Sequence, residues 1–257
     1  MEWMAFEQEL ETARAAAARA GDKALEYWRS GFTVDSKADR TPVTAADREC
    51  ERLLVQEVCA RFPDDGILGE EGAEKASGSG RKWIIDPIDG TRDFIRRNRL
   101  WCNLIALEDN GEVVLGTAHF PALGETYWAT RGGGAFCNGE PIRISGITEV
   151  SESVLLVNTL VSIHRSSFSR NLLEWAKHFW TARSLGGAWD AMFVASGRAE
   201  VWIEQAGAPW DLAPLKIIAE EAGARFFNFD GGSSIYGGNC VICVPALETM
   251  MRRFVGS

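Results

Sequence analysis

The run Trp83-Ile84-Ile85-Asp86-Pro87-Ile88-Asp89-Gly90-Thr91 constrains this chain more than any other stretch. Its apolar start reads as a buried strand. The strand leads straight into two aspartates, Asp86 and Asp89. Pro87 and Gly90 shape a turn, and Thr91 opens a helix. A buried strand that delivers two carboxylates to one point is costly unless something neutralises them. Hard oxygen ligands at such a turn suit Mg²⁺, which keeps several waters and accepts phosphate oxygens. A lone Asp-x-x-Asp would read as a helix cap plus a turn aspartate. The apolar strand before it and the Gly-Thr after it ask for more than that.

Three further acidic points have mundane readings when taken singly. Gly69-Glu70-Glu71-Gly72 follows a short strand, and paired Glu residues are common in exposed loops. Trp210-Asp211-Leu212-Ala213 starts a helix in which Asp211 would serve as an N-cap. Thr44-Ala45-Ala46-Asp47 fits a capping box, with Asp47 at the third helical position, where its charge complements the helix dipole.

The periodicities around these points predict a mixed α/β layered fold. Helices are expected over 4–30 and 45–61, a strand over 66–69, and a solvated loop over 73–81. Strands follow near 101–109, 113–120 and 125–130, with hairpin turns at Asn110-Gly111 and Ala122-Leu123-Gly124. The second half alternates: strand 153–157, helix 169–178, strand 181–184, helix 189–197, strand 199–204, helix 211–222, strands 225–229 and 240–244, and a last helix from Pro245. An antiparallel sheet is expected first and a second sheet after about residue 150. The 257 residues suffice for one large domain, or for two halves, 1–148 and 149–257, that share a core.

Charge narrows the function. The formal net charge is −9, and an acidic surface repels nucleic acid and anionic membrane. A phosphate substrate would then need local positive charge, which a bound metal supplies. The start Met1-Glu2-Trp3-Met4-Ala5 has no basic stretch before an apolar run, and the apolar runs are short. A cytoplasmic protein is expected. Six scattered cysteines fit reduced thiols. Cys240-Val-Ile-Cys243 has redox or zinc spacing, but its apolar setting favours buried thiols.

Together, Pro42-Val43-Thr44-Ala45-Ala46-Asp47, Gly69-Glu70-Glu71, the 83–91 run, and Trp210-Asp211 followed by Glu220-Glu221-Ala222-Gly223 resemble the inositol monophosphatase superfamily. The resemblance covers essentially the whole chain. It implies a single phosphatase domain over 1–257, folded as a layered α-β-α-β-α sandwich of the sugar-phosphatase type. It also implies a cytosolic homodimer, two or three Mg²⁺ per active site, and inhibition by lithium. Glu70, Asp86 and the Ile88 carbonyl would hold the first Mg²⁺; Asp86, Asp89 and Asp211 would hold the second. Thr91, oriented by Asp47, would help Glu70 position and deprotonate a metal-bound water. Asp89, Gly90, Thr91, Glu204, Arg183 and Asp211 are the implied substrate contacts.

Within the superfamily, Thr91-Arg92-Asp93-Phe94-Ile95-Arg96 and His119-Phe120-Pro121-Ala122-Leu123-Gly124-Glu125 look most like bacterial histidinol-phosphate phosphatases, enzymes of histidine biosynthesis. Glu204 would then pair with the substrate ammonium; otherwise it is an exposed strand-end Glu. Two features depart from that pattern. Gly187 stands where such relatives often carry Asp, with Asp190 nearby, and Arg96-Arg97-Asn98-Arg99 lacks their usual glycine. Those arginines attract an anion or simply face water. An inositol-phosphate or other sugar-phosphate phosphatase is the alternative enzyme, and a catalytically silent metal- or phosphate-binding regulator is the alternative outside enzymes.

Overall fold

Helix α1 (Glu7–Ser30) buries Ala13, Ala16, Ala17, Ala20 and Ala24 on one face, so its backbone lies close to what it covers. The structure, a computed structural model, describes residues 6–37, 41–158 and 160–256. The expected start of this helix at residue 4 lies outside them. A short hairpin, β1 (Val34–Ser36) and β2 (Pro42–Thr44), leads into α2 (Ala45–Arg61). The next strands are β3 (Gly66–Gly69), β4 (Glu74–Lys75) and β5 (Arg81–Asp89), and α3 (Thr91–Ile95) follows the site turn. Five more strands, β6 (Cys102–Asp109), β7 (Glu112–Phe120), β8 (Glu125–Thr130), β9 (Gly134–Cys137) and β10 (Glu140–Ile142), complete an eight-stranded sheet ordered β10-β9-β8-β7-β6-β5-β3-β4.

The second half supplies β11 (Val154–Val157), α4 (Leu172–Ala176), β12 (Thr181–Arg183), α5 (Gly187–Ala195), β13 (Val201–Glu204), α6 (Pro209–Glu221), β14 (Arg225–Phe227), β15 (Cys240–Cys243) and α7 (Glu248–Val255). Its five strands are ordered β12-β11-β13-β15-β14. Side chains alternate across a strand, and this sorts the core. Trp83 and Ile85 of β5 pack under α1 and α2, while Ile84 faces the middle layer. Trp202 and Ile242 face the same middle layer from the smaller sheet, whereas Val201, Ile203 and Val241 face α7. Helices α5 and α6 lie between the sheets, so the order of layers is α-β-α-β-α, as the resemblance implied.

Helix α6 sits unusually close to the large sheet. A Cβ on Gly116 of β7 would come within 2.5 Å of Ile217 and 2.7 Å of the Pro214 carbonyl. The missing side chain at 116 is what admits that helix.

Four expectations need correction. The first sheet is not wholly antiparallel, because β3 and β5 run parallel; the stretch between them holds β4, on the outer side of β3, and returns the chain to the end at which β3 began. That stretch is therefore only partly loop. Strands β9 and β10 were not expected, and they join at Asn138-Gly139, where both residues have positive φ (50° and 93°) as a type I′ turn requires. The helix expected over 169–178 is a 3₁₀ segment, Ser167–Asn171, followed by the short α4.

Candidate active site

Strand register builds the first half of the site. Gly69 pairs with Ile85 in the parallel β3–β5 ladder, so the next residues, Glu70 and Asp86, emerge side by side. Asp86 is only 2% exposed, and its Oδ1 accepts the Ile88 N–H at 2.9 Å. In a regular strand residues i and i+3 point to opposite faces. The register shifts between Asp86 and Asp89, and this irregularity turns Asp89 to the same side. Gly90 then takes a left-handed φ of 80° and serves as the N-cap of α3, so Thr91 is the first helical residue and not the cap.

The third carboxylate comes from the other half. Asp211 is the third residue of α6, and its Oδ2 accepts the Ala208 N–H at 2.7 Å, which secures the helix start. Carboxylate oxygens of Asp86, Asp89 and Asp211 all lie within 4.8 Å of one another. Burial first, then the neighbouring Glu70, Asp89 and Asp211 charges, pushes the Asp86 carboxyl well above the usual carboxylate range. Burial also raises Asp89, to about 7, against the opposing Ala188 N–H; Glu70, Glu204 and Asp93 push the same way as burial. Burial and Asp89 raise Asp211. Three mutually repelling carboxylates, one buried and two half-buried, call for protons or a cation, and an all-oxygen set fits a hard divalent ion. The Cys102 thiol beside Asp89, 3.8 Å from its Oδ2, is held protonated by burial and by that charge.

Glu70 stands outside this trio but touches Asp86. Lys37, at the end of β1, reaches Glu70 Oε1 at 2.9 Å and Glu71 Oε1 at 2.7 Å. Burial raises Glu71 to about 7 although the Lys37 ammonium opposes it. Glu51 of α2 fixes this corner by accepting the N–H groups of Glu71 and Ala73 at 2.8 and 2.9 Å.

Asp47 does two jobs. Its Oδ2 accepts the Thr44 N–H at 2.7 Å and the Thr44 hydroxyl at 2.5 Å, which completes the expected capping box. Its Oδ1 faces the Thr91 hydroxyl at 3.3 Å, and the Ile88 carbonyl is that hydroxyl's other acceptor at 3.2 Å. The same carboxylate thus completes the cap and lies within reach of the Thr91 hydroxyl.

The wall beyond Asp89 departs from expectation in several places. Glu204 is buried, only 4% exposed, so it is not an exposed strand-end residue. Its carboxylate accepts the Asn158 side-chain amide and, at 3.0 Å, the Ala206 N–H. Asp190 turns its buried carboxylate back onto the Leu185 N–H at 3.3 Å, so it does not replace the acid missing at Gly187. A Cβ on Gly187 would meet Asp89 Oδ2 at 3.1 Å. Arg183 lies exposed on the edge strand β12, and its guanidinium donates to the Ala182 carbonyl. Of the arginine cluster, Arg97 packs over Trp28 and Phe32, and Arg99 donates to the Ala122 carbonyl. Those two are structural. Cys240 faces the middle layer and Cys243 the α7 layer, so this Cys pair cannot close on itself.

Sequence reasoning missed Lys37, Glu51, Cys102 and Asn158. Lys37 and Asn158 have no local signature, since each acts on a carboxylate more than thirty positions away. Cys102 was within reach, because a strand antiparallel to the 83–91 run must place a side chain beside Asp89.

The comparisons with known proteins agree with this geometry. The model of the inositol monophosphatase family matches residues 6–255. A histidinol-phosphatase of Chlorobaculum parvum is 43% identical over 97% of this chain and 96% of its own length. A fructose-1,6-bisphosphatase/inositol-1-monophosphatase of Thermotoga maritima is 37% identical over 83% of this chain and 82% of its own. Among solved structures, the IMPase of Thermotoga maritima superimposes with a TM-score of 0.89 at 31% identity, covering 97% of both chains. With the fold, the acidic trio and these relatives in agreement, the chain belongs to the inositol monophosphatase family of phosphoric monoester hydrolases.

Proposed function

We propose that this protein is a Mg²⁺-dependent phosphomonoesterase whose substrate is L-histidinol phosphate. The observation that carries the substrate reading is Glu204, a buried carboxylate close enough to raise the proton affinity of Asp89. An ammonium group adds a charge-assisted hydrogen bond to such a carboxylate, which a sugar hydroxyl cannot match. The C. parvum relative's name supports the same reading.

Glu70, Asp86 and the Ile88 carbonyl would hold one Mg²⁺, and Asp86, Asp89 and Asp211 another, with two or three ions in the site. The ions, when bound, ionise water and neutralise charge on the phosphoryl and leaving oxygens. The chain's own groups do the rest. Asp47 fixes the Thr91 hydroxyl, which orients the attacking water, and Glu70 takes that water's proton. The N–H groups of Gly90 and Thr91 bind phosphoryl oxygens at a helix start. Water then displaces the alcohol in line: its bond to phosphorus forms as the ester bond breaks, and no covalent enzyme intermediate is needed. Arg183 would reach the substrate only from the exposed edge. The same reading puts the enzyme in the cytoplasm as a homodimer; exposed Leu173 and Trp180 are apolar side chains that a second copy would cover, and light scattering tests the dimer.

The test is a substrate panel with purified protein. Histidinol phosphate should give the highest kcat/KM among histidinol phosphate, inositol 1-phosphate, fructose 1,6-bisphosphate and adenosine 3′,5′-bisphosphate. Glu204→Gln should raise KM for histidinol phosphate about tenfold or more, since a charge-assisted bond contributes ~1.5–3 kcal/mol. Inositol 1-phosphate is the second reading, favoured by the lack of an acid at Gly187, and a higher kcat/KM for it would replace the first. No turnover of any ester would leave the silent regulator.

A further inference from the structure

We infer that Asn158 is a positioning residue for Glu204 and thereby sets the preference for a cationic leaving group. The inference rests on the histidinol phosphate reading and deepens it. Asn158 follows β11, and its backbone N–H donates to the Ile203 carbonyl at 2.9 Å, next to Glu204 on β13. Its side-chain amide donates to Glu204 Oε2, while the Ala206 N–H holds Oε1. Both oxygens of a buried carboxylate are therefore aimed, and the residue that aims one of them is itself tied to the neighbouring strand.

The same amide looks onto the site. A Cβ on Gly187 would stand 3.8 Å from Asn158 Nδ2 and 3.1 Å from Asp89 Oδ2. A Cβ at 187 would thus have Asp89 and Asn158 as neighbours, and the Asn158 amide in turn donates to Glu204. A leaving group held beside Asp89 that reaches Glu204 meets it in the orientation that Asn158 dictates. Without that donor one oxygen of the carboxylate loses its aim, and a directional ammonium contact weakens more than diffuse hydroxyl contacts do.

The experiment is a steady-state comparison of wild type with Asn158→Ala, using histidinol phosphate and inositol 1-phosphate. The expected result is an about tenfold rise in KM for histidinol phosphate with kcat changed less than about twofold. The ratio of kcat/KM between the two substrates should fall at least about fivefold. Asn158→Ser, which keeps a donor, should recover most of that ratio. If the alanine variant does not fold, Asn158→Leu keeps the volume without the donor, and the competitive Ki of free histidinol reads the same contact without turnover. An unchanged ratio, or equal loss for both substrates, would overturn the inference. The wild-type ranking reports separately on the substrate reading: if inositol 1-phosphate is preferred there, that reading fails whatever the variants do.

Discussion

Thr91 offers one proton to two acceptors, Asp47 and the Ile88 carbonyl, both beyond 3 Å. Such long contacts add little to stability, and the cap of α3 is Gly90 rather than Thr91. Thr91→Ala should therefore cost no more than ~1 kcal/mol in a denaturant titration. If the hydroxyl orients the attacking water, the same variant loses about 100-fold or more in kcat; wild-type turnover would remove both Thr91 and Asp47 from the mechanism. Asp190 gives a different residue-scale expectation. Burial raises its carboxyl from the ordinary 3.8 to about 6. The folded chain thus keeps a proton that the unfolded chain has already released, so Asp190 supports folding most below pH 3.8, and that support fades as pH rises through about 6. Asp190→Asn keeps an acceptor for the Leu185 N–H and removes the titration. Its unfolding free energy should vary less than wild type between pH 4 and 6.

At the scale of elements, the position of α6 decides where Asp211 stands. That helix approaches β7 only because residue 116 has no side chain. Gly116→Ala should destabilise the protein by ~1–3 kcal/mol through overpacking. By displacing the helix start it should also raise the Mg²⁺ concentration needed for half-maximal activity, and unchanged metal activation would separate packing from the site. Elements with strong local signals were legible in the sequence. The 83–91 run, the Thr44–Asp47 cap and the Asn110-Gly111 turn each specify their structure within a few residues. Asn138-Gly139 carried the same turn signal, but the glycines just before β9 masked the strand. The parallel partner of β5 was not legible, because direction depends on how residues 70–80 return.

For the whole molecule, the acidic trio draws β5 of the large sheet and α6 of the middle layer to one point, with Glu70 arriving from β3. Carboxylates that repel in the absence of a cation become a fastening in its presence. Excess EDTA should abolish activity and Mg²⁺ should restore it. At about 100 times its Kd, Mg²⁺ should add ~2.7 kcal/mol to stability, which for a chain of this size is a rise of roughly 5–10 °C in Tm. An unchanged Tm with restored activity would show that the site is held rigid without metal. The layer order was readable from alternating elements and from the resemblance, yet the wall beyond Asp89 was not. Glu204 is buried and accepts the amide of Asn158, 46 positions away and just past another strand.

Asp47 and Asp211 each begin a helix and also face the site, Asp47 through its second oxygen and Asp211 through the trio. The smallest portion of this protein that could be grafted onto a foreign scaffold is therefore not a set of side chains. It is two strand ends together with three helix beginnings, the third being that of α5, whose Ala188 N–H reaches Asp89. A design that copied only the carboxylates would leave each without the N–H donor that aims it, whereas one that copied the helix starts would inherit the aim as well.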